Sequence, residues 1–388
     1  MIELSIRNGD VEKARELMMN FTHRTGLLPG NKPRRYLWTD AFAVCNFLGL
    51  YIHTNDEAYR ELAIRLVNQV HHILGKYRED DSRVGWISGL KDEEAEQHPT
   101  IGGLRIGKEL PERKADEPFD WELEWKRDGQ YYHYLTKWMH ALNKVALVTG
   151  DLTYNRWAIE LAKTAHSRFT YTLPDGRKRM YWKMSIDLTY PLVSSMGQHD
   201  PLDGFITYNE LQATAPREAE WPSLKEEIAD LASFYEDYWI TDDPLGIGEL
   251  LSNAYKVSQL IRKGYWNRID LLLRILNDAY ISLEAFLKKE FTILQAEERL
   301  AFRELGLSIG LKSLDRLWKI IKEVPILNEN EEVLLIVKVL RSYTTLAKDI
   351  EEFWLKPENR SVETWIEHID INEVMLATSL IPDGYLEI

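Results

Sequence analysis

TNDEAYRELAIRLVNQVHHIL occupies residues 54–74, and TGDLTYNRWAIELAKTAHSRF occupies residues 149–169. With residue 149 set against residue 54, Thr54, Asp56, Tyr59, Ala63, Ile64, Leu66 and His71 match Thr149, Asp151, Tyr154, Ala158, Ile159, Leu161 and His166. Each copy enters through a Thr-x-Asp turn and continues as an amphipathic helix with one apolar stripe. Each follows a segment that is apolar and aromatic on nearly every side: YLWTDAFAVCNFLGLYIH (36–53) and DGQYYHYLTKWMHALNKVALV (128–148). A helix apolar all round is buried on more than one face. The repeating unit is therefore a pair, a buried inner helix followed by an exposed outer one. His71 and His166 lie late on outer helices, where an imidazole complements the helix C-terminus, and read as scaffold.

The same alternation extends along the chain. A first amphipathic helix covers about 10–25. Later outer candidates are 222–239, 266–289 and 331–355; inner candidates are 246–262, 297–321 and 369–380. An apolar, aromatic segment at 187–199 is closed by DPLDG (200–204). The expectation is an all-α chain of six inner–outer pairs. Residues 170–185 read as a short hairpin turning at Pro174-Asp175-Gly176. Residues 79–127 carry charge, Gly and Pro without periodicity; so long a break inside a compact domain is usually functional, and it reads as a lid-like insertion. No Pro/Ser-rich linker divides the chain, so residues 1–388 read as one domain.

Composition narrows the partners. The formal net charge is −14, and no run of Lys or Arg forms a phosphate-tracking stripe, which argues against nucleic acid and anionic membrane. The one cysteine, Cys45, lies in an apolar helix and supports neither a disulfide framework nor a cysteine metal site. No HExxH occurs, so no metal and no cofactor are expected. Gly102–Lys108 (GGLRIGK) matches G-x-x-x-x-G-K. It fails as a phosphate loop, because Glu109 stands where Ser or Thr is required and Pro111 where a helix should start. The N-terminus lacks the basic and apolar regions of a signal peptide, and no apolar stretch reaches a membrane span; a cytoplasmic protein is expected. Thirteen Trp, nineteen Tyr and eleven Phe call for a large core or an apolar cleft for a flat ligand.

Six helix pairs around a buried inner ring, with WTDAFAVCNFLGLY (38–51) and DGQYYHYLTKWMHAL (128–142) as inner segments, resemble the six-hairpin glycosidase-like superfamily. The resemblance implies an (α/α)6 toroid. It also implies a cleft near the N-terminal ends of the inner helices, and either glycoside hydrolysis or sugar epimerisation. Activity does not follow from a fold, so the residues carry the argument.

Acids recur where inner helices begin: Asp40, Asp128, Asp187, Glu249 and Glu304. Carboxylates also favour such positions for capping and dipole reasons alone. Here aromatics accompany them, and sugars offer C–H faces to stack on rings and hydroxyls for fixed polar groups. Glycoside hydrolysis needs two carboxyl groups, one protonated and one ionised. Asp40 and Asp128 are the first pair, with Asp187 in reserve. Trp38, Tyr131, Trp138, Trp182 and Tyr190 are candidate sugar platforms, and Arg127 and Gln130 candidate polar contacts. Arg105 and Lys108 in the insertion are candidates for a sugar carboxylate or phosphate. A second reading is a sugar 2-epimerase or aldose–ketose isomerase with His133 and His199 as bases. A third is a non-catalytic ligand-binding toroid whose inner acids all pair with Arg or Lys. The expected partner is a small carbohydrate.

Overall fold

The computed structural model describes residues 8–218, 220–234 and 238–388. It is predominantly helical, with short strands confined to two small sheets. Its contacts gather into two compact units, one of Met1–Phe21, Gly49–Asp56 and Asp237–Ile388, the other of Thr22–Leu48 and Glu57–Glu236.

The repeat folds the same way twice. Thr54 Oγ1 donates back to Leu50 O at 2.7 Å, and Thr149 Oγ1 to Val145 O at 2.7 Å; each hydroxyl then accepts from the backbone N–H of Asp56 or Asp151. The residue between, Asn55 or Gly150, takes a left-handed backbone with φ 56° or 76°. Asn and Gly are the residues that enter that region most readily. The outer helices Glu57–Leu74 and Thr153–Phe169 follow. His71 is buried and accepts from Trp138 Nε1 at 3.2 Å, and burial pushes its pKa down to about 3.

In the unit that includes Thr22–Leu48, the inner helix Tyr132–Thr149 packs on both Thr153–Phe169 and Asp200–Thr214. The last of these departs from expectation. DPLDG begins this helix rather than closing the preceding segment, which instead contains the strand Pro191–Val193. Pro201 sits in the first turn, where its missing N–H costs nothing, and Asp200 and Asp203 face the positive end of the helix dipole. Strands Gln130–Tyr131, Lys183–Met184 and Pro191–Val193 form a sheet with Lys183–Met184 central and both pairings antiparallel. The expected hairpin is present, pairing Thr170–Thr172 with Lys178–Met180.

In the other unit, Pro244–Arg262 and Ala301–Glu323 approach through glycines. A Cβ on Gly248 would lie 2.0 Å from Gly306 O, and one on Gly310 2.4 Å from Gly248 O. Ile269–Leu287 packs on the first of these helices, and Thr345–Leu355 and Ile369–Leu380 on the second. Two expected outer helices are shorter than read. Of 222–239 the helix keeps Lys225–Leu231, with residues 235–237 outside the described part. The span 331–355 is broken by a 3-10 turn at Arg341–Tyr343.

Candidate active site

An aromatic wall surrounds the start of the helix Tyr132–Thr149. The pairing of Tyr131 with Lys183 brings Trp182 beside Tyr131, with ring centroids 5.2 Å apart. His133 is nearly parallel to Trp182 (6.1 Å, 13°), stacks on Tyr131 (5.3 Å) and meets Tyr134 edge-on (4.8 Å). The insertion extends the wall. Its helix Trp121–Lys126 is capped by Asp120, whose side chain accepts from Leu123 N, and it presents Trp121 and Trp125 one turn apart. Their rings lie 5.9 and 5.6 Å from Trp182. Both remain about half exposed, at 54% and 49%, so broad apolar faces are left open to solvent.

Behind the wall, the helices Tyr132–Thr149 and Asp200–Thr214 are joined by three polar rungs. His133, Lys137 and His140 share one face of the first helix. His140 Nδ1 meets Glu210 at 2.8 Å, with Asn143 also donating to Glu210; Lys137 Nζ meets Asp203 at 2.7 Å. The third rung is open, with His133 Nδ1 3.8 Å from Asp200 Oδ1. His133 Nδ1 and Asp200 Oδ2 are buried and have no hydrogen-bond partner among the described residues. The His133 ring itself is about a quarter exposed, its side chain being 26% accessible. Burial first, then repulsion from Lys137, lowers the His133 pKa to about 3. Burial first, then the neighbouring Asp203, raises Asp200 to about 7. A neutral imidazole therefore faces a carboxyl group that changes charge near neutral pH.

The acids expected to do chemistry are placed otherwise. Asp40 is buried at the head of the helix Leu37–Thr54, accepting from Tyr36 N at 2.8 Å and 3.3 Å from Arg35 Nη1. Asp128 is fully buried and accepts from Arg105 Nη1 (2.6 Å), Gly107 N, Gly129 N and Arg78 Nη1 (3.4 Å). It ties the base of the insertion to the wall. Asp187 accepts from Ser185, Thr189 and Arg83. Burial alone raises its pKa, but those hydrogen bonds outweigh it and hold the group below the ordinary aspartate value. Arg83 also binds Asp81 and Glu112, so this cluster clasps the insertion to the loop at 185–190.

Other expected site residues divide between wall and scaffold. Tyr131 and Trp182 are in the wall. Gln130 fixes the insertion, accepting from Leu104 N and donating to Gly102 O and Ile186 O. Arg105 is spent on Asp128 and two backbone carbonyls, and Arg127 pairs with Glu117. Trp138 is a core residue bonded to His71, and Trp38 is buried against Phe42. Tyr190 OH donates to Arg113 O. His199 is half-buried at the N-cap position immediately before Asp200. Sequence reading missed Asp200, Trp121 and Trp125. The signal for the tryptophans was present in WELEW, two large rings one turn apart in an otherwise charged helix.

The helices share the fold of (α/α)6 toroid proteins. The chain is similar in structure to a family 76 α-mannanase of Bacteroides thetaiotaomicron (TM-score 0.55, 9% identity, 98% of each chain covered). It is also similar to a family 76 glycoside hydrolase from a bovine strain of that species (TM-score 0.53, 12% identity, 99% of this chain and 79% of that one). A D-mannose isomerase gives a TM-score of 0.52 at 12% identity, over 98% of this chain and 99% of that one. At these identities the likeness establishes the fold. No protein-family model and no curated protein matches the sequence.

Proposed function

We propose that the protein is a carbohydrate-active enzyme that moves a proton at a sugar carbon beside a carbonyl, as an aldose–ketose isomerase or 2-epimerase does. The carrying observation is the open His133–Asp200 rung beside half-exposed tryptophans. The wall offers apolar faces for a sugar ring, and the rung offers a base and an acid that do not hydrogen-bond to each other. His133, neutral at pH 7, takes the proton from C2 of the open-chain sugar. Protonated Asp200 gives its proton to the carbonyl oxygen, and an enediol results. Return of the His133 proton to C1, with Asp200 taking back the hydroxyl proton at O2, completes isomerisation. For epimerisation a protonated His199, at the head of the Asp200 helix, delivers a proton to the opposite face of C2 while His133 keeps the one it took and Asp200 takes the hydroxyl proton back from O1. General acid–base groups of this kind contribute about 10²–10⁴-fold in rate.

Hydrolysis is the second reading. It is favoured by the raised pKa of Asp200, the property required of a general acid. Asp40 and Asp128 are poorly suited to that reaction, because their oxygens are engaged by arginines and backbone N–H groups. The non-catalytic reading requires every inner acid to be paired, and Asp200 argues against it.

The experiment is proton exchange in D2O, followed by NMR at C2–H over a panel of aldoses, ketoses and disaccharides. Exchange by wild type, lost at least about a hundredfold in both His133→Ala and Asp200→Asn, is the expected result. Glycosidic cleavage without C2 exchange would favour hydrolysis. Wild-type exchange in both variants would refute the site.

A further inference from the structure

The wall contains a cation, Lys108, that forms no ion pair among the described residues. Lys108 Nζ lies 4.8 Å from the centroid of Trp125 and 5.2 Å from that of Tyr131, and it donates to the backbone carbonyl of Trp125. Four neighbouring cations each have a carboxylate. Lys183 is held by Glu124 Oε1 and two backbone carbonyls, Arg113 by Glu124, Arg127 by Glu117 and Arg105 by Asp128. Among the described residues, no carboxylate lies within ion-pair distance of Lys108. Burial first, then the nearby Lys183, lowers its pKa to about 8, outweighing the more distant Asp128 and Glu124.

The position is also pre-set. Arg78 binds the carbonyls of Lys108 (2.6 Å) and Glu109 (2.7 Å). Asp128 accepts from Gly107 N at 3.0 Å. Gly107 has φ +93°, and a Cβ there would lie 2.2 Å from Arg35 O. The backbone that delivers Lys108 is thus fixed before any ligand arrives, which lowers the cost of binding. Tyr131 links this cation to the open rung, with Lys108 Nζ 5.2 Å from its centroid and the His133 ring 5.3 Å away. Lys108 and His133 thus both contact the ring of Tyr131, which joins the cation to the wall.

We propose that Lys108 is the counter-ion for an anionic substituent of the sugar, a carboxylate or a phosphate, so that the substrate is a sugar acid or a sugar phosphate. The inference rests on the reading of the aromatic wall as a sugar site. Two cation–π faces and one neutral carbonyl hold the ammonium without neutralising it, and the missing charge is supplied by the ligand.

The test is calorimetric titration of glucose, glucuronate and glucose 6-phosphate into wild type, Lys108→Met and Lys108→Arg at constant ionic strength. Wild type should bind at least one anionic sugar about tenfold or more tightly than glucose. Lys108→Met should abolish that preference without weakening glucose, and Lys108→Arg should keep most of it. Whichever anion binds more tightly identifies the source of the charge. Equal binding of the three sugars, no binding of any, or an anionic preference that survives Lys108→Met overturns the inference. The proton-transfer reading is judged separately by Asp200→Asn, in which C2 exchange should fall while the ratio of anionic-sugar to glucose affinity is retained. Anion binding through Lys108 without C2 exchange leaves the subsite standing and the proposed reaction refuted. C2 exchange on neutral sugars that is indifferent to Lys108→Met does the reverse.

Discussion

Replacing Asp200 with Asn and, separately, His133 with Phe should reveal two opposed pH dependences of stability that cancel in the wild type. Asp200 rises from an ordinary 3.8 to about 7 in the folded protein. Its favourable share of stability is complete below about pH 4 and is lost as pH climbs through 7, because the folded state retains a proton that the unfolded chain releases. His133 falls from 6.5 to about 3. Its share is complete above pH 6.5 and is lost as pH falls toward 3, because the unfolded chain binds a proton first. Each slope is about 1.4 kcal/mol per pH unit, and between about pH 4 and 6.5 they run in opposite directions. Asp200→Asn removes the loss at high pH, so its stability relative to wild type should grow by up to about 4 kcal/mol between pH 4 and pH 8. His133→Phe keeps a ring on the wall and removes the loss at low pH, so its relative stability should grow by about 3 kcal/mol from pH 7 to pH 4. Urea unfolding at half-unit pH steps measures both, since all other titrating groups cancel in the difference from wild type. Differences that do not change with pH, or that slope in the same direction for both variants, would refute the environment assigned to the rung.

Three further outcomes are expected. Asp128→Asn should cost about 3–5 kcal/mol in urea unfolding, because Arg105 would keep its positive charge in a buried site without its counter-ion; a variant as stable as wild type but inactive would instead mark Asp128 as catalytic. Trp121→Ala and Trp125→Ala should each weaken sugar binding several-fold in calorimetry with little change in melting temperature, since both rings are half exposed. Gly248→Ala should destabilise the protein by about 1–3 kcal/mol or more, because its Cβ meets the carbonyl of Gly306 at 2.0 Å and backbone must move to admit it.

The fold was legible because its signal is repeated and local. Thr-x-Asp with Asn55 or Gly150 at the left-handed position encodes the same turn twice, and the apolar stripe after it can belong only to an outer helix. The site was half legible. Aromatic density around 130–138 and 182 marked the wall, but rings such as Trp138 and Trp38 face the core, and composition does not report which way a ring points. Acids at helix starts are ambiguous as candidates for a physical reason. The features that attract Asp40 and Asp128 to those positions, backbone N–H groups and arginines, also consume their oxygens. Asp200 was given no catalytic role because DPLDG was read as closing the preceding segment, whereas Pro201 in a first turn starts a helix.

The open rung follows from a competition between packing and hydrogen bonding. The closed rungs sit at 2.7 and 2.8 Å, and His133 would need to move about 1 Å toward Asp200 to match them. Moving would take its ring away from Trp182, Tyr131 and Tyr134. Aromatic contacts are worth about 0.5–1.5 kcal/mol each beyond burial, and a typical internal hydrogen bond nets about 1 kcal/mol. Three ring contacts outweigh one hydrogen bond, so the imidazole stays on the wall and the rung stays open. What remains is a donor–acceptor pair separated by 3.8 Å. A hydroxyl oxygen brought to about 2.8 Å from both atoms would satisfy both at once. A ring stacked on the wall and carrying such a hydroxyl gains the interaction that the protein cannot make for itself, and this couples sugar binding to the two groups assigned the proton transfer.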